Sequence, residues 1–336
     1  MRAPDFWWTS PDARALRAQL LRPLGALYAG LTARRMAQTG YRSPLPVICV
    51  GNINAGGTGK TPTAMALLMA FSAKGVKAHV VSRGYGGSLA GPVQVEERRH
   101  SAADVGDEPL LLSAFAPVWV AHDRAAGVKA AESAGAEVVI LDDGFQNPSV
   151  AKDLSIVVVD AQVGFGNGLC LPAGPLREPV AVGLARADAV ISIGNEAAQA
   201  KFAAEWGAAL QGLPHLRAAL LPLPTGMPWQ GLRVMAFAGI GRPDKVFATL
   251  RDLGADLAKT VALDDHQPLS PALLQRMQAQ AEALGARLVT TEKDAMRLPH
   301  AQRASILTLP VRLAFAPATA LDTLVAPVIA QVLARR

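Results

Sequence analysis

Six residues constrain this chain more than any others. Gly56-Gly57-Thr58-Gly59-Lys60-Thr61 follow an apolar run, Pro46–Val50, and open a helical stretch, Thr63–Ser72. A strand that passes through a glycine loop into a helix is the context a phosphate cradle requires. Glycines let backbone N–H groups turn inward, and the helix N-terminus adds a favourable dipole. Lys60 is placed to reach the β- and γ-phosphates of a nucleotide, and the Thr61 hydroxyl to ligate Mg²⁺. The strict spacing puts a further glycine at 54, where this chain has Asn54. The candidate phosphate-binding residues are therefore Asn54, Ala55, Gly56, Gly57, Thr58, Gly59, Lys60 and Thr61. A plain glycine-rich turn is the alternative, but it leaves Lys60 and Thr61 unexplained.

Around this loop, short Val/Ile-rich runs alternate with longer Ala/Leu-rich stretches. The runs at Ala78–Ser82, Val118–Ala121, Val138–Leu141, Ser155–Asp160 and Ala189–Ile193 are nearly continuous in hydrophobicity. Parallel strands buried on both faces read this way. The expected fold is α/β, a P-loop NTPase-like three-layer parallel sheet. Residues 221–231 are rich in Pro and Gly, and a second strand–helix series follows: Arg233–Ala238, a helix from Pro243, Leu257–Leu263, a helix from Ser270, and Arg287–Thr291. The expected organisation is a basic helical segment at 1–42, a nucleotide-binding domain at 43–222, a linker at 223–232, and a smaller C-terminal α/β domain at 233–336.

The run Val138–Leu141 ends in Asp142-Asp143. Two carboxylates at the carboxyl edge of a buried strand, beside a phosphate loop, orient Mg²⁺ or its bound water. A solvated turn acid is the alternative, and spacing alone does not order the two. The loop and the acids together point to nucleoside triphosphate binding. They leave a kinase, a GTPase switch and an ATP-driven assembly factor all open.

Charge is concentrated at one end. Residues 1–42 hold seven arginines against two aspartates, so they carry +5 of the chain's +6. They also hold five of its 17 Phe, Trp and Tyr residues. Ser10-Pro11-Asp12 reads as a helix start, after which Leu16, Leu20, Leu24, Leu27 and Leu31 form one stripe. Arg14 and Arg22 fall off that stripe, Arg17 and Arg35 flank it, and Pro23 is expected to kink or split the helix. The segment is expected to be an amphipathic helix, with its leucines packed on the protein's own core or laid in a membrane interface. A nucleic-acid binder spreads its cations over a larger footprint, so none is expected as partner. Cys49 and Cys170 lack ligand spacing, which fits a reducing compartment. No run is long enough to span a membrane, and residues 1–30 lack the order of a signal peptide.

Several loop residues carry chemistry with an ordinary alternative beside each. Arg83, in Ser-Arg-Gly-Tyr-Gly, and Arg177, in Gly-Pro-Leu-Arg-Glu-Pro, are candidate contacts to a phosphate or an anionic substrate; a structural arginine is the alternative. Glu108 is a candidate Mg²⁺ ligand or a solvated acid. Lys293 and Asp294 end a strand that could face a nucleotide base or ribose, or they form a surface pair. Asp107 and His266 alone read as turn or capping residues.

A longer set of blocks resembles one family. Gly51-Asn52, Gly56–Pro62, Ser82–Gly86, Gly106-Asp107-Glu108-Pro109, Asp142-Asp143-Gly144-Phe145-Gln146, Gly166-Asn167-Gly168, Leu171–Pro179, Asp265-His266 and Thr290–Asp294 occur in the order found in tetraacyldisaccharide 4′-kinases. The resemblance implies an enzyme that transfers phosphate from Mg·ATP to the 4′-hydroxyl of a tetraacylated glucosamine disaccharide 1-phosphate, in lipid A biosynthesis. It implies a peripheral protein at the cytoplasmic face of the bacterial inner membrane; the basic, aromatic residues 1–42 are then the expected docking segment, and no obligate protein partner is expected. It also implies that Asp107 is the general base, supported by His266, with Lys60 as the third catalytic group. Two positions depart from the family's pattern: Asn147-Pro148 follow Gln146 where His and a basic residue are usual, and Gln267 stands where a second His is usual. A nucleotide-dependent switch or metal-delivery GTPase is the alternative, for which Thr291-Glu292-Lys293-Asp294 is a near match to a guanine motif. A membrane-binding adaptor with a vestigial loop is disfavoured by the intact Lys60-Thr61.

Overall fold

The computed structural model describes residues 3–13 and 15–336. Arg2 and Arg14, both part of the basic head, lie outside them. Among the described residues, thirteen strands build two sheets: β1 (Val47–Gly51), β2 (Ala78–Ser82), β3 (Val93–Gln94), β4 (Val118–Val120), β5 (Val138–Asp142), β6 (Leu154–Asp160), β7 (Ala189–Ile193), β8 (His215–Pro222), β9 (Arg233–Ala238), β10 (Asp256–Ala262), β11 (Arg287–Thr291), β12 (Leu307–Leu309) and β13 (Val311–Ala316). The larger sheet runs β13-β8-β7-β6-β1-β5-β2-β4-β3, and the smaller β10-β9-β11-β12. All pairs are parallel except the two edges, β13 on β8 and β3 on β4.

The Val/Ile runs form central strands because every residue of β1, β2, β5, β6 and β7 is buried. Successive side chains point to opposite faces, so one run feeds two cores. Ile48, Val50, Ile140 and Ile156 pack with the helices Lys60–Ala73 and Ala320–Leu333. Val47, Cys49, Val139 and Val157 pack on the opposite face with Val128 of the helix Arg124–Ser133 and with Leu184. This is the expected α/β layering. β1 lies between β5 and β6, with β2 to β4 beyond β5 on one side and β7 and β8 beyond β6 on the other. Ligand crevices of open α/β sheets form at that kind of switch point, which puts the glycine loop after β1 and the acids after β5 side by side.

The C-terminal boundary differs from expectation. Residues 311–336 leave the smaller unit: β13 pairs antiparallel with β8, and Leu321, Val325, Ile329 and Val332 join the core around the helix Lys60–Ala73. β8, β12, β13 and the last helix lack the Val/Ile runs that mark the central strands. At the expected linker, Leu223 N–H donates to Pro310 C=O, and Trp229 is buried in the smaller unit's core.

The N-terminal segment also differs. Ser10-Pro11-Asp12 forms a turn, closed by Ala13 N–H on Ser10 C=O, and the long helix begins at Leu16. It runs unbroken to Met36 through Pro23, which is exposed, so the carbonyl freed at Gln19 faces water. Its small residues face inward: Ala18, Gly25 and Thr32 are buried, and a Cβ on Gly25 would meet Cys170 O at 2.8 Å. The leucine stripe points the other way, with Leu16, Leu20, Leu24, Leu27 and Leu31 between 53% and 73% exposed. Apolar side chains on both sides leave the helix apolar but not clearly amphipathic. Packing of the leucines on the protein's own core is thereby excluded. Ahead of it, the turn Asp5–Trp8 is pinned by Trp7 Nε1 on Pro172 C=O at 3.1 Å and by Asn167 Nδ2 on Phe6 C=O at 3.1 Å.

Candidate active site

The glycine loop is held from behind. Asn52 Nδ2 donates to Gly56 C=O at 3.0 Å, and Gln146 Nε2 in turn donates to Asn52 C=O at 2.7 Å. Asn54, which replaces a glycine of the strict pattern, turns its buried amide onto Gly164 C=O at 3.0 Å. Ala55 N–H donates to Pro175 C=O at 2.7 Å. The Asn54 side chain and the Ala55 amide are thus committed to the protein and not to a phosphate. Among the described residues, the N–H groups of Gly56, Gly57, Thr58 and Gly59 have no protein acceptor. Gly59 starts the helix at φ 101°, a conformation that demands glycine, and a Cβ there would press on Ile193 Cδ1.

The two acids after β5 are separated by their surroundings. Asp142 is buried; its Oδ2 accepts from Ser82 Oγ at 3.1 Å and its Oδ1 has no partner. Burial, reinforced by the nearby Glu108 and Asp143 charges, pushes its carboxyl up to about 7. Asp143 sits in left-handed backbone, φ 52°, with Lys60 Nζ at 3.7 Å and Arg177 Nη1 at 3.1 Å from Oδ1. Burial raises Asp143 as well, but the Lys60 and Arg177 charges outweigh it and hold the carboxyl below its ordinary value. Arg177 also donates to Gln146 Oε1 at 3.3 Å, so this arginine organises the acidic strand end. Arg83 is exposed and, among the described residues, unpaired. Gln146 was missed as a site residue; its position in Asp-Asp-Gly-Phe-Gln was the available signal.

The fold brings Asp107 and His266 together across the two units: His266 Nδ1 lies 3.0 Å from Asp107 Oδ2 although 159 positions separate them. Asp107 opens the helix Asp107–Leu112 behind Gly106 at φ 90°, and it is buried. Burial raises its carboxyl, but the His266 hydrogen bond and the Lys293 and Arg297 charges bring it below the ordinary value. An ionised carboxylate only accepts, so His266 Nδ1 donates to it and His266 Nε2 faces Lys293 Nζ at 3.3 Å. Asp107 Oδ1 is buried without a partner.

Glu108, expected at the metal, is paired instead with Lys293 at 2.9 Å. Burial lowers the Lys293 ammonium, but the Glu108, Asp107 and Asp265 charges raise it above its usual value. Arg297 was missed too: its Nε lies 3.5 Å from Asp107 Oδ2, and it holds Gly239 C=O and Gln267 C=O at 2.8 Å each. Asp294 is fully buried on Gly239 N–H, Thr291 Oγ1 and Arg297. It is neither a surface partner of Lys293 nor free to read a base, which removes the near-match guanine motif. The two departing positions serve turns: Asn147 Oδ1 accepts Ser149 N–H and Gln267 Oε1 accepts Asp264 N–H.

No group of three His, Cys, Asp or Glu side chains among the described residues closes around a metal. The unpartnered Asp142 Oδ1 and the Thr61 hydroxyl nevertheless fit Mg²⁺, a hard cation that takes few protein oxygens and keeps waters and phosphate oxygens as its other ligands.

A nucleotide-phosphate loop on one unit, faced by a histidine and two cations from the other, defines a P-loop phosphotransferase. The chain belongs to the tetraacyldisaccharide-1-P 4′-kinase family, whose model matches residues 17–330. It is 66% identical to a tetraacyldisaccharide 4′-kinase of Dinoroseobacter shibae over 96% of each chain. It is 61% identical to that of a Jannaschia species over 93% of this chain and 94% of that one. The fold matches LpxK from Aquifex aeolicus, crystallised in complex with ATP, at a TM-score of 0.74 and 27% identity, covering 94% of this chain and all of that one. The chain therefore belongs to a family of kinases, and the GTPase alternative has no support in these matches.

Proposed function

We infer that this enzyme transfers the γ-phosphate of ATP to the 4′-hydroxyl of a tetraacylated glucosamine disaccharide 1-phosphate, in lipid A biosynthesis. The observation that supports the reading is the Asp107–His266 pair, a carboxylate and an imidazole joined from two distant segments. Phosphoryl transfer needs the nucleophile held in line and the charge on the transferred group neutralised. The free amides of Gly56–Gly59 and the Lys60 ammonium hold the phosphates. Thr61 and Asp142 would hold Mg²⁺, which neutralises charge on the phosphate oxygens when bound. Asp143 steers Lys60 and is itself steered by Arg177. Asp107 Oδ1 accepts the proton of the sugar hydroxyl as that oxygen attacks. The His266 Nδ1–H bond orients Asp107, and Lys293 and Arg297 hold the pair in register. Arg83, exposed at the rim, is the contact for the acceptor's 1-phosphate.

A lipid acceptor also gives the outward leucines a purpose. No helix of the described residues is long and apolar enough to cross a membrane. Leu16–Leu31 lie in the interface at the cytoplasmic face of the inner membrane, Trp8 reaches the headgroup level, and neighbouring arginines meet anionic lipid at about 1 kcal/mol each. Incubation with γ-labelled ATP or GTP and the acylated disaccharide in detergent tests the reaction. Label on the lipid from ATP supports it; no transfer, with GTP hydrolysed in preference, sinks it.

A further inference from the structure

Asp160, at the carboxyl end of β6, is buried, with a side chain only 7% exposed, and carries two cations from the smaller unit. Arg242 Nη1 lies at 3.0 Å and Lys245 Nζ at 2.7 Å from its Oδ2. Those cations stand at the N-cap and in the first turn of the helix Pro243–Asp252. Positive charge at a helix N-terminus is disfavoured by the dipole, whereas a carboxylate there is favoured. Asp160, together with Asp244 in the helix's own first turn, thus offsets the two cations at this helix start. Its other oxygen accepts Gln162 N–H at 3.0 Å, which fixes the carboxylate on its own side.

The loop leading into that helix touches both halves of the site. A Cβ on Gly241 would lie 3.8 Å from Gly57 N and 3.9 Å from Asp265 Oδ2. Gly239 C=O accepts His266 N–H at 3.2 Å and Arg297 Nη2 at 2.8 Å, and Gly239 N–H donates to Asp294. His266, in left-handed backbone at φ 57°, reaches Asp107 only from this anchored position.

We propose that Asp160 is a positioning residue for phosphoryl transfer: by clamping Arg242 and Lys245 it seats the Gly239–Gly241 loop on the phosphate loop and so delivers His266 to Asp107. The proposal rests on the Asp107–His266 reading above. Asp160→Asn keeps the Gln162 contact through its amide oxygen and replaces the charged oxygen that holds Arg242 and Lys245 with an NH2 donor. A displacement of about 1 Å at reacting groups costs up to about a hundredfold in rate. The expected result is a kcat lowered by about tenfold or more, ATP affinity changed by less than about threefold, and a melting temperature that falls but stays well above the assay temperature. The double variant Arg242→Gln/Lys245→Gln, on half-buried side chains, is expected to give the same loss, and the triple variant no further loss, because one interaction is removed twice. A kcat within about twofold of wild type, a loss that tracks the melting temperature, equal loss of ATP affinity, or additive losses would each overturn it. Asp107→Asn is the control: if it retains turnover, the Asp107–His266 reading fails, whereas if it alone loses turnover, only the Asp160 assignment does.

Discussion

Lys60 Nζ and Asp143 Oδ1 stand 3.7 Å apart, at the start of the helix after β1 and the end of β5. The distance leaves the lysine only partly engaged, since Asp143 is paired more closely with Arg177 at 3.1 Å. Lys60→Ala therefore leaves Asp143 with a partner. Circular dichroism and thermal melting are expected to match wild type, while turnover falls by about a hundredfold or more, as for loss of a charge that stabilises the transition state. Retained turnover contradicts the role given to the loop.

Asp107→Ala separates chemistry from binding. Removing a positioned base costs roughly 10²- to 10⁴-fold in kcat, and the phosphate loop is untouched. Single-turnover rates and ATP titrations are expected to diverge by that factor; a parallel loss in both contradicts the assignment as base.

The leucine face gives a test with the fold held constant. Leu20→Glu/Leu27→Glu places charges on exposed positions, where substitutions usually change stability by less than about 0.5 kcal/mol. Sedimentation with anionic vesicles is expected to fall while the melting temperature holds. Undiminished vesicle binding leaves the stripe without a membrane role.

Glu137 gives a pH dependence of known sign. Its hydrogen bond from Arg336, then that from Lys77 N–H, bring its carboxyl down to about 2. A carboxyl lowered on folding stabilises above its unfolded pKa, and that stabilisation fades as pH falls toward the folded value. The pair is partly solvated, so Glu137→Gln is expected to cost only about 0.5–1 kcal/mol at pH 7. Denaturant midpoints of the two proteins are expected to converge between about pH 4.5 and 2; a gap that widens on acidification contradicts this.

Both thiols are buried. Desolvation pushes Cys49 up to about 12 and Cys170 up to about 11. Since the thiolate is the nucleophile, a thiol reagent at pH 8 is expected to label neither in the native protein and both after denaturation. Rapid native labelling shows that the core they share opens.

What was readable in the chain follows from locality. β2, β7, β9 and β11 coincide with their Val/Ile runs, and the other expected central strands differ by a residue or two. A strand buried on both faces must be apolar throughout, whatever packs against it. The glycine loop was readable because its φ values and its lysine belong to one short segment. β13 was not, since an edge strand need not be apolar on both faces and its partner β8 lies about 90 positions away. Nor were the partners of Arg177, Arg297 and Asp160, which come from distant segments.

The sequence by itself determined the layered α/β core, the phosphate loop, the acids beside it and, through its blocks, the family. Periodicity, backbone demand and short motifs are written within a few residues of one another. Only the tertiary structure decided which way the leucine stripe faces, that Glu108 belongs to Lys293, and that residues 311–336 return to the large sheet. It also gave the pairing of His266 with Asp107, which the family resemblance implies, a contact of 3.0 Å. Those outcomes depend on which groups meet after the chain closes, and the energy of such meetings comes from burial and charge at separations that no local pattern encodes.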